Sequence, residues 1–473
     1  MPWDSTFEVA FHPRSVAIVG VSRGPARREP PFGGLTTLCN LQHYGFEGRI
    51  YPVNPEAEQI CGLKAYPNLK AVPEPLDLVI VAVPAATVPS VLEDCIAAGA
   101  RNIHVMTSAF SETRFDKGKH LEARIREIAI RGGLRLIGPN CMGLQVPNAK
   151  MVTFNDIPLK HGPVAFISQS GGHVHAYLLL GPAHGFGFSK LISYGNGLVM
   201  DSPDFLEYLA QDPDTRIICL YLEGVRDGAR LARLVKEINQ TKPVIVWKAG
   251  LTGAGAQAAL SHTGSIGGTR EVWDAFFKQT GAIRVNSIEE MATMAMTLLY
   301  LQPPRGQRVA LLGVGGGNSV ASGDTCAEAG LEAPALAPES RSKLLGFISI
   351  VNQSVTNPLD IPLIASKPKH LQRVLEIVAA DPNVDTIIIN QLLGVASRER
   401  SPSMTEGAEV ACRFIEESPY QKPILVATAG ASISPQLQQR LLSAGIPVYS
   451  SLSGACRALY CLLRHKRFLE EQA

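Results

Sequence analysis

The sequence has almost no excess of charge of either sign. Its 473 residues include 44 Lys and Arg against 42 Asp and Glu, which gives a formal net charge of +2. Proteins that bind nucleic acid or an anionic membrane through long-range electrostatics usually carry a clear basic excess or a basic patch. The charge balance therefore argues against both classes of partner.

Long hydrophobic runs, an export signal and patterned cysteine pairs are also missing. The longest apolar runs are as short as β-strands, whereas a membrane-spanning helix needs about 18 or more apolar residues. Residues 1–5 show no basic stretch leading into an apolar one, so no secretory signal is expected. The nine cysteines are scattered without a CxxC pair, which favours free thiols in a reducing compartment. These features predict a cytoplasmic protein.

The sequence does contain apolar, strand-like runs that alternate with amphipathic helical stretches. This alternation is typical of an α/β fold with doubly wound, mostly parallel sheets, in which ligands bind beyond the carboxyl ends of the strands. Since a domain has roughly 150 residues on average, a chain of 473 residues is expected to form three domains. We predict them at 1–145, 146–303 and 304–473, with the Pro- and Gly-containing linker 302–306 at the last boundary.

Strands and helices are predicted from these runs in each unit. The predicted strands are 15–20, 48–53, 76–83, 102–107 and 134–137 in the first unit, 163–167, 190–193, 217–221 and 243–247 in the second, and 308–312, 386–389 and 423–427 in the third. Clear amphipathic helices are predicted at 88–98, 117–130 and 454–471.

A histidine, His262, stands in a Gly-rich loop that follows the predicted strand 243–247. Small neighbours allow a phosphate-bearing group to approach the backbone. Histidine can also act as a nucleophile that forms a covalent intermediate, and phosphohistidine is one such species. From the loop alone, an ordinary polar loop histidine is the favoured interpretation.

Two Gly-rich turns each close a strand and open a helix. A helix N-terminus presents unpaired N–H groups and a partial positive charge, which suits phosphate. Either turn alone also fits an ordinary strand-to-helix connection. The candidate phosphate-binding residues are Ser168, Ser170, Gly171 and Gly172 in one turn and Gly315, Gly316, Gly317 and Asn318 in the other.

The first predicted strand leads into a third Gly-containing loop. This loop holds Gly20 and Ser22, followed by Arg23, Arg27 and Arg28. It lacks a complete GxGxxG pattern, so a dinucleotide site is disfavoured. The residues suit a phosphate-rich ligand, although the arginines alone would fit a solvated loop.

These motifs resemble the α-type chain of NDP-forming acyl-CoA synthetases, relatives of succinyl-CoA synthetase. The resemblance covers nearly the whole chain in the family's order. It implies a Rossmann-like CoA-binding domain followed by two flavodoxin-like domains of the succinyl-CoA synthetase type. The motifs that carry it lie at 11–20, 51–55, 83–85, 137–141, 168–171, 195–196, 221–224, 261–264, 315–317 and 357–360.

The resemblance implies a reaction that interconverts acyl-CoA, phosphate and ADP with a carboxylic acid, CoA and ATP. Phosphate attacks the thioester to form an acyl phosphate, and a loop histidine carries the phosphoryl group to the nucleotide. His262 corresponds to that histidine, and Glu223 to the glutamate that bonds its other ring nitrogen and sets the tautomer. The alternative for Glu223 is a surface carboxylate at a strand end.

The resemblance also implies where CoA binds. The corresponding residues are Gly20, Ser22, Arg23, Asn54, Val83 and Pro84, with Cys141 expected as a packed thiol near the CoA sulfur. Two stretches depart from the family pattern. His173 and His175 stand where small residues are usual, and 27–31 replaces a common Pro-Gly-Lys.

No ATP-grasp domain is recognisable in the sequence. In the family this domain binds the nucleotide, on the same chain or on a separate β-type chain. The resemblance therefore implies an ATP-grasp β-type partner that holds ATP or ADP and Mg²⁺, and an α2β2 or similar assembly. No metal site is expected on this chain.

Two other interpretations remain open at this point. One is a CoA-binding regulator that has lost catalysis, although His262, Glu223 and both Gly-rich turns argue against it. The other is a related lyase or acyl-transfer enzyme that uses the same phosphohistidine.

Overall fold

The computed structural model describes residues 5–22, 33–154, 160–253, 255, 268–362, 364, 367–390, 402–428 and 433–472. The chain forms two compact units. The first comprises residues 1–182 and 186–291, and the second comprises residues 183–185 and 292–473. Among the described helices, none is long and apolar enough to cross a bilayer.

The first unit contains two large sheets, a two-stranded antiparallel sheet of β3 and β4, and the helices that cover them. Its strands are β1 (Ser15–Val19), β2 (Arg49–Val53), β3 (Gln59–Ile60), β4 (Leu63–Lys64), β5 (Leu78–Val81), β6 (Asn102–Val105), β7 (Arg135–Ile137), β8 (Gly143–Val146), β9 (Met151–Val152), β10 (His161–Ser168), β11 (Phe188–Ser193), β12 (Ile217–Leu222), β13 (Val244–Lys248) and β14 (Ile283–Val285). Its helices are α1 (Ser5–Phe11), α2 (Gly34–His43), α3 (Val88–Ala97), α4 (Asp116–Arg131), α5 (Gly171–Ala183), α6 (Ser202–Gln211), α7 (Gly228–Ile238) and α8 (Arg270–Thr280).

Helix α9 (Ile288–Tyr300) leads from the first unit into the second, which contains one sheet. The strands of that sheet are β15 (Val309–Val314), β16 (Leu359–Asp360), β17 (Thr386–Asn390), β18 (Ile424–Ala427) and β19 (Val448–Tyr449). The remaining helices are α10 (Gly317–Glu328), α11 (Pro338–Leu345), α12 (Pro368–Ala380), α13 (Pro402–Glu417), α14 (Pro435–Ser443) and α15 (Leu452–Gln472).

The strand orders confirm the predicted α/β class with doubly wound sheets. They are β2-β1-β5-β6-β7, β14-β13-β12-β10-β11-β8-β9 and β16-β15-β17-β18-β19. Neighbouring strands are parallel except at the β11-β8-β9 edge of the second sheet. The sequence did not predict this edge, because β8 and β9 are short. The limits of the three predicted domains stay a prediction.

Each of the three larger sheets has a switch point beside its first parallel strand. The chain moves from β1 to one side and then to the other, so the loops after β1 and β5 flank a crevice. The same arrangement occurs between β10 and β12 and between β15 and β17. Ligands of doubly wound sheets bind at such points, beyond the carboxyl ends of the strands. The three Gly-containing loops singled out in the sequence all follow the first strand of a switch point.

The core explains why the strands are so apolar. Every residue of β1 and of β12 is buried, as expected for parallel strands covered on both faces. Burying an aliphatic side chain fully contributes about 1.5–3 kcal/mol. In the first unit, α1 extends this core: the ring of Phe11 stacks on that of Tyr208 in α6 with centroids 4.0 Å apart. One continuous hydrophobic cluster therefore joins the first two sheets.

Candidate active site

The loop after β1 is shaped by close backbone contacts. Gly20 has a φ of +94°, and a Cβ there would lie 2.6 Å from the carbonyl oxygen of Ala82. No other residue fits this position without moving the backbone. The predicted CoA loop therefore packs directly against the chain that follows β5.

Asn54 links that loop to the segment after β2. Its Nδ2 donates to the carbonyl oxygen of Val21 at 2.8 Å. Its Oδ1 accepts the N–H groups of Glu56 at 2.8 Å and Ala57 at 3.1 Å. The Asn54 side chain thus shapes the loop through several hydrogen bonds.

The other predicted CoA residues lie around the same strand ends. Thr107, just beyond β6, donates its hydroxyl to the carbonyl oxygen of Val83 at 2.7 Å. Val83 is partly buried and Pro84 is exposed, whereas Ser22 is partly buried. Arg23, like Arg27 and Arg28, lies outside the described residues.

Cys141 is packed under the end of the first sheet. It is 7% exposed, and its Sγ lies 3.5 Å from the carbonyl oxygen of Val105 as a donor. Burial raises the pKa of the Cys141 thiol well above its usual range. The side chain is therefore a protonated thiol, as expected for a packing residue rather than a nucleophile.

The loop that carries Cys141 adjoins the second sheet. Asn140 donates to the side-chain oxygen of Asn196 at 3.3 Å, and the backbone N–H of Asn196 donates to the carbonyl oxygen of Pro139 at 3.0 Å. A Cβ on Gly171 would lie 2.8 Å from Cγ of Met142. The end of the predicted CoA site thus contacts the start of the predicted phosphate turn.

The turn from β10 to α5 is organised by its two serines. The hydroxyl of Ser168 donates to the carbonyl oxygen of Ser170 at 2.8 Å and accepts its N–H at 3.0 Å. The hydroxyl of Ser170 accepts the N–H of His173 at 3.3 Å, so Ser170 caps the helix. Gly172 is exposed, and a Cβ there would have Ser170 Oγ as its neighbour at 3.8 Å. The helix start is open to a ligand on that side.

Glu223 lies beyond the end of β12, the strand beside β10. It is 6% exposed, which argues against a surface carboxylate. The hydroxyl of Tyr221 donates to Oε1 of Glu223 at 3.2 Å. The side-chain oxygen of Gln169 accepts the N–H of Glu223 and, at 3.0 Å, the N–H of Gly224. Glu223 is therefore held in place through both its backbone and its carboxylate.

His173 is packed against this group of residues. Its ring centroid lies 4.2 Å from that of Tyr221 and 4.8 Å from that of Trp247. Desolvation lowers the pKa of His173, and the nearby charges of Glu223 and Glu289 oppose that effect. The ring contacts of His173 favour a packing role for this residue, which departs from the family pattern. His175 is partly buried one half-turn further along α5.

Lys248 contacts the backbone of Glu223, and the sequence did not predict this contact. It ends β13 and is 5% exposed. Its Nζ donates to the carbonyl oxygens of Glu223, at 2.9 Å, and Ala249. Desolvation lowers the pKa of Lys248 to about 8, against the opposing effect of the Glu223 charge. The glycines after β13 indicated a loop site in the sequence, but nothing in the sequence indicated a role for the lysine that precedes them.

His262 lies outside the described residues. The segment that carries it leaves the sheet at the end of β13, next to β12 and hence next to Glu223. The described chain resumes at Gly268, and α8 begins at Arg270. Its role stays a prediction.

The second unit contains the other Gly-rich turn. Helix α10 begins at Gly317 without a side-chain cap. The N–H of Gly316 donates to Oδ2 of Asp360, at the end of β16, at 2.8 Å. Gly316, Gly317 and Asn318 are exposed, and Gly315 is partly buried. Asp360 was part of the motif at 357–360 but was not predicted as a neighbour of the turn.

Among the residues with a described placement, no group of three or more His, Cys, Asp or Glu side chains could hold a metal ion.

Comparison with known proteins identifies two domain types. Residues 14–147 match the model of a CoA binding domain, and residues 161–298 match that of the succinyl-CoA ligase like flavodoxin domain. The chain is also similar over almost its full length to two proteins of Pyrococcus furiosus. The alpha subunit of ADP-forming acetate–CoA ligase II is 35% identical over 459 residues, which cover 97% of both chains. The alpha subunit of ADP-forming acetate–CoA ligase I is 33% identical over 470 residues and 98% of both chains.

A solved structure is similar over the same extent. The dinucleotide-forming acetyl-coenzyme A synthetase 1 of Ca. Korarchaeum cryptofilum, in complex with phosphate and ADP, superposes with a TM-score of 0.83 at 31% identity. The match covers 98% of this chain and 97% of that chain.

Proposed function

Because the chain belongs to the family of ADP-forming acyl-CoA synthetases, as an α-type chain, we propose that it interconverts acyl-CoA, phosphate and ADP with a carboxylic acid, CoA and ATP through a phosphohistidine at His262. One observation carries the proposal. In the first unit, the Cys141–Met142 loop contacts Gly171, and Gln169 of the same turn bonds the backbone of Glu223. A thioester, a phosphate and an acidic partner for histidine would meet at this junction.

The CoA end of the site is the crevice between β1 and β5. In the proposal, the backbone around Gly20, the side chain of Ser22 and the exposed Pro84 face the ligand. Asn54 keeps the loop in shape through its bond to Val21. The Cys141 thiol would lie near the CoA sulfur without reacting.

The chemistry at the junction is two successive substitutions. A phosphate oxygen attacks the thioester carbonyl carbon, the C–S bond breaks, and the CoA thiolate leaves and takes up a proton. A ring nitrogen of His262 then attacks the phosphorus of the acyl phosphate, the P–O bond breaks, and the carboxylate leaves. Glu223 accepts the hydrogen bond of the other ring N–H and fixes the tautomer. In the first unit, the helix start at Gly171–Gly172 would stabilise the phosphoryl oxygens through amide N–H groups. The helix start at Gly315–Asn318 in the second unit is proposed as a phosphate-binding turn of its own.

The nucleotide is assigned to a second chain in this proposal. The similar proteins of Pyrococcus furiosus are named alpha subunits. We therefore propose an ATP-grasp β-type partner that holds ADP or ATP with Mg²⁺, in an α2β2 or similar assembly. His262, which lies outside the described residues, would carry the phosphoryl group between the two sites. The free cysteines of the described residues fit a cytoplasmic location.

Labelling tests the proposal. The chain, purified with any chain that accompanies it, is incubated with acetyl-CoA and radiolabelled phosphate. We expect acid-labile, base-stable label on the protein, and none on the His262→Asn variant. Label that persists in this variant, or no label on the native protein at any acyl-CoA tried, would overturn the proposal.

A further inference from the structure

We propose that Lys248 and Trp273 form a positioning clamp that fixes both roots of the His262 segment beside Glu223. The inference rests on the proposed function, since it assigns a role in phosphoryl transfer to residues that do not touch the substrate. It concerns the described residues on either side of the segment.

The first root is held by the Lys248 ammonium. Its Nζ donates to the carbonyl oxygen of Glu223 at 2.9 Å and to that of Ala249, where the segment leaves β13. One cation thereby joins the backbone of the acid to the start of the carrier segment. A shift of either would break a charge-assisted hydrogen bond, which is stronger than a neutral one.

The second root is held by the Trp273 ring. Trp273 lies in the first turn of α8, directly after the segment, and is 5% exposed. The Nζ of Lys248 lies 5.2 Å from the centroid of this ring, within cation–π range. A Cβ on Gly268 would lie 3.2 Å from Nε1 of Trp273, so the chain enters α8 in close contact with the ring. Lys248 therefore touches the acid, the departing chain and the tryptophan that packs the returning chain.

Burial makes this lysine an unusual choice for a purely structural position. An ammonium taken out of water is unfavourable unless its contacts compensate. The lowered pKa of Lys248 reflects that cost. An apolar side chain would fill the same space without desolvating a charge. The contacts of the ammonium with the two carbonyl oxygens and the Trp273 ring are what an apolar side chain could not provide.

Lys242 provides a matched control at the other end of the same strand. It precedes β13, and its Nζ also donates to two backbone carbonyl oxygens, of Leu209 at 2.8 Å and Asp212 at 2.7 Å. Desolvation lowers its pKa as well. Lys242 thus has the same kind of structural contacts, but it lies at the amino end of β13, away from Glu223.

The experiment compares Lys248→Met, Lys248→Arg and Lys242→Met in the purified protein with its accompanying chain. The rate of phosphohistidine formation is measured with acetyl-CoA and labelled phosphate, and CoA affinity is measured by titration. We expect Lys248→Met to slow labelling roughly 10- to 100-fold, because small misplacements of reacting groups have effects of that size. CoA affinity should stay unchanged, and Lys248→Arg, which keeps the charge, should recover part of the rate. Lys242→Met should lower thermal stability without a selective loss of labelling.

Equal labelling rates in Lys248→Met and Lys242→Met would overturn the clamp. If Lys248→Met does not fold, Lys248→Gln, which keeps an N–H donor but removes the charge, decides: slower labelling with unchanged CoA affinity supports the clamp, and a native rate overturns it. The His262→Asn variant in the same assay separates the two levels. Label that survives in His262→Asn refutes the proposed function, whereas label lost there but unaffected by Lys248 variants refutes the clamp alone.

Discussion

Each of the two Gly-rich turns of this chain has an acidic residue at the end of the neighbouring strand, but the carboxylates of the two acids form different hydrogen bonds. In the first unit, Glu223 follows β12 and receives a hydrogen bond from Tyr221 at 3.2 Å. In the second unit, Asp360 ends β16 and accepts the N–H of Gly316 in the turn itself, at 2.8 Å. The carboxylate of Glu223 is therefore bonded to its own strand, and only its backbone bonds Gln169 in the turn, whereas the carboxylate of Asp360 is bonded to the turn itself.

The two helices that follow the turns also differ in whether a side chain caps their first turn. Ser170 caps α5 through the N–H of His173, whereas α10 begins at Gly317 without a side-chain cap. A carboxylate at a helix N-terminus interacts favourably with the dipole and competes there with any other anion. The same glycine pattern therefore produces a preorganised turn beside a separate acid in one unit, and an open turn partly neutralised by its acid in the other.

The largest expected effect comes from removing the acid of the first turn. Glu223→Gln keeps the shape of the side chain but no longer fixes the histidine tautomer. We expect phosphohistidine formation to fall by about 10²- to 10⁴-fold, the range seen when an acid–base or tautomer-setting group is lost. The measurement is the initial rate of labelling from acetyl-CoA and labelled phosphate.

Glu289→Gln is the matched control for that variant. Glu289 acts electrostatically on His173, as Glu223 does, but it lies in the first turn of α9 and does not follow β12. It should change the labelling rate by no more than about twofold, as most substitutions outside a site do. Similar losses in both variants would mean that local charge, and not the position of Glu223, controls the reaction.

The next effect concerns the contact between the CoA loop and the first turn. In Gly171→Ala, the added Cβ would lie 2.8 Å from Cγ of Met142, so this side chain must move. We expect kcat/KM for acyl-CoA to fall roughly tenfold, because the loop beside the thioester shifts. In Gly172→Ala the nearest atom is Ser170 Oγ at 3.8 Å, and steady-state kinetics should show a clearly smaller loss. A larger loss of kcat/KM in Gly172→Ala than in Gly171→Ala would show that the contact between Gly171 and Met142 is not important for the reaction.

The sequence predicted the fold where it had long apolar strands. β1, β12 and most of β10 and β13 are apolar, rich in Val and Ile or Leu, and buried, so their composition alone indicated them. β8, β9, β16 and β19 escaped prediction, because two to four residues carry too little periodicity. The class and the switch-point loops were therefore predictable, and the antiparallel edge was not.

The candidate site was predictable only in part, for a similar reason. Glycines between a strand and a helix mark a turn in any sequence, and the family resemblance pointed to Glu223. Gln169 bonds the backbone of Glu223 across 54 positions in sequence, and Lys248 reaches it across 25. Such contacts depend on the register of β10, β12 and β13, which a single sequence does not specify.

A smaller effect should come from removing the cap of the first turn. Ser170→Ala deletes the acceptor for the His173 N–H, and we expect the free energy of unfolding to fall by about 1 kcal/mol. Ser434→Ala is the control, since Ser434 caps α14 in the second unit through the N–H of Leu437 at the same 3.3 Å. Denaturant titration should give similar losses for both variants, while only Ser170→Ala slows labelling. Slower labelling in Ser434→Ala as well would show that general stability limits the rate.

The smallest effect tests the acid of the second turn and should have the opposite sign. Asp360→Asn removes a negative charge but retains an oxygen that can accept the Gly316 N–H. Since a charge at a helix N-terminus is worth about 0.3–1 kcal/mol, phosphate should bind roughly two- to fivefold more tightly in this variant. Titration of the labelling rate with phosphate measures the change. Asp324→Asn removes an exposed charge from the same helix beyond its first turn and should leave phosphate affinity as it is. Weaker phosphate binding in Asp360→Asn would instead mean that the carboxylate holds the turn in its binding conformation, and the contrast between the two turns would then be one of geometry and not of charge.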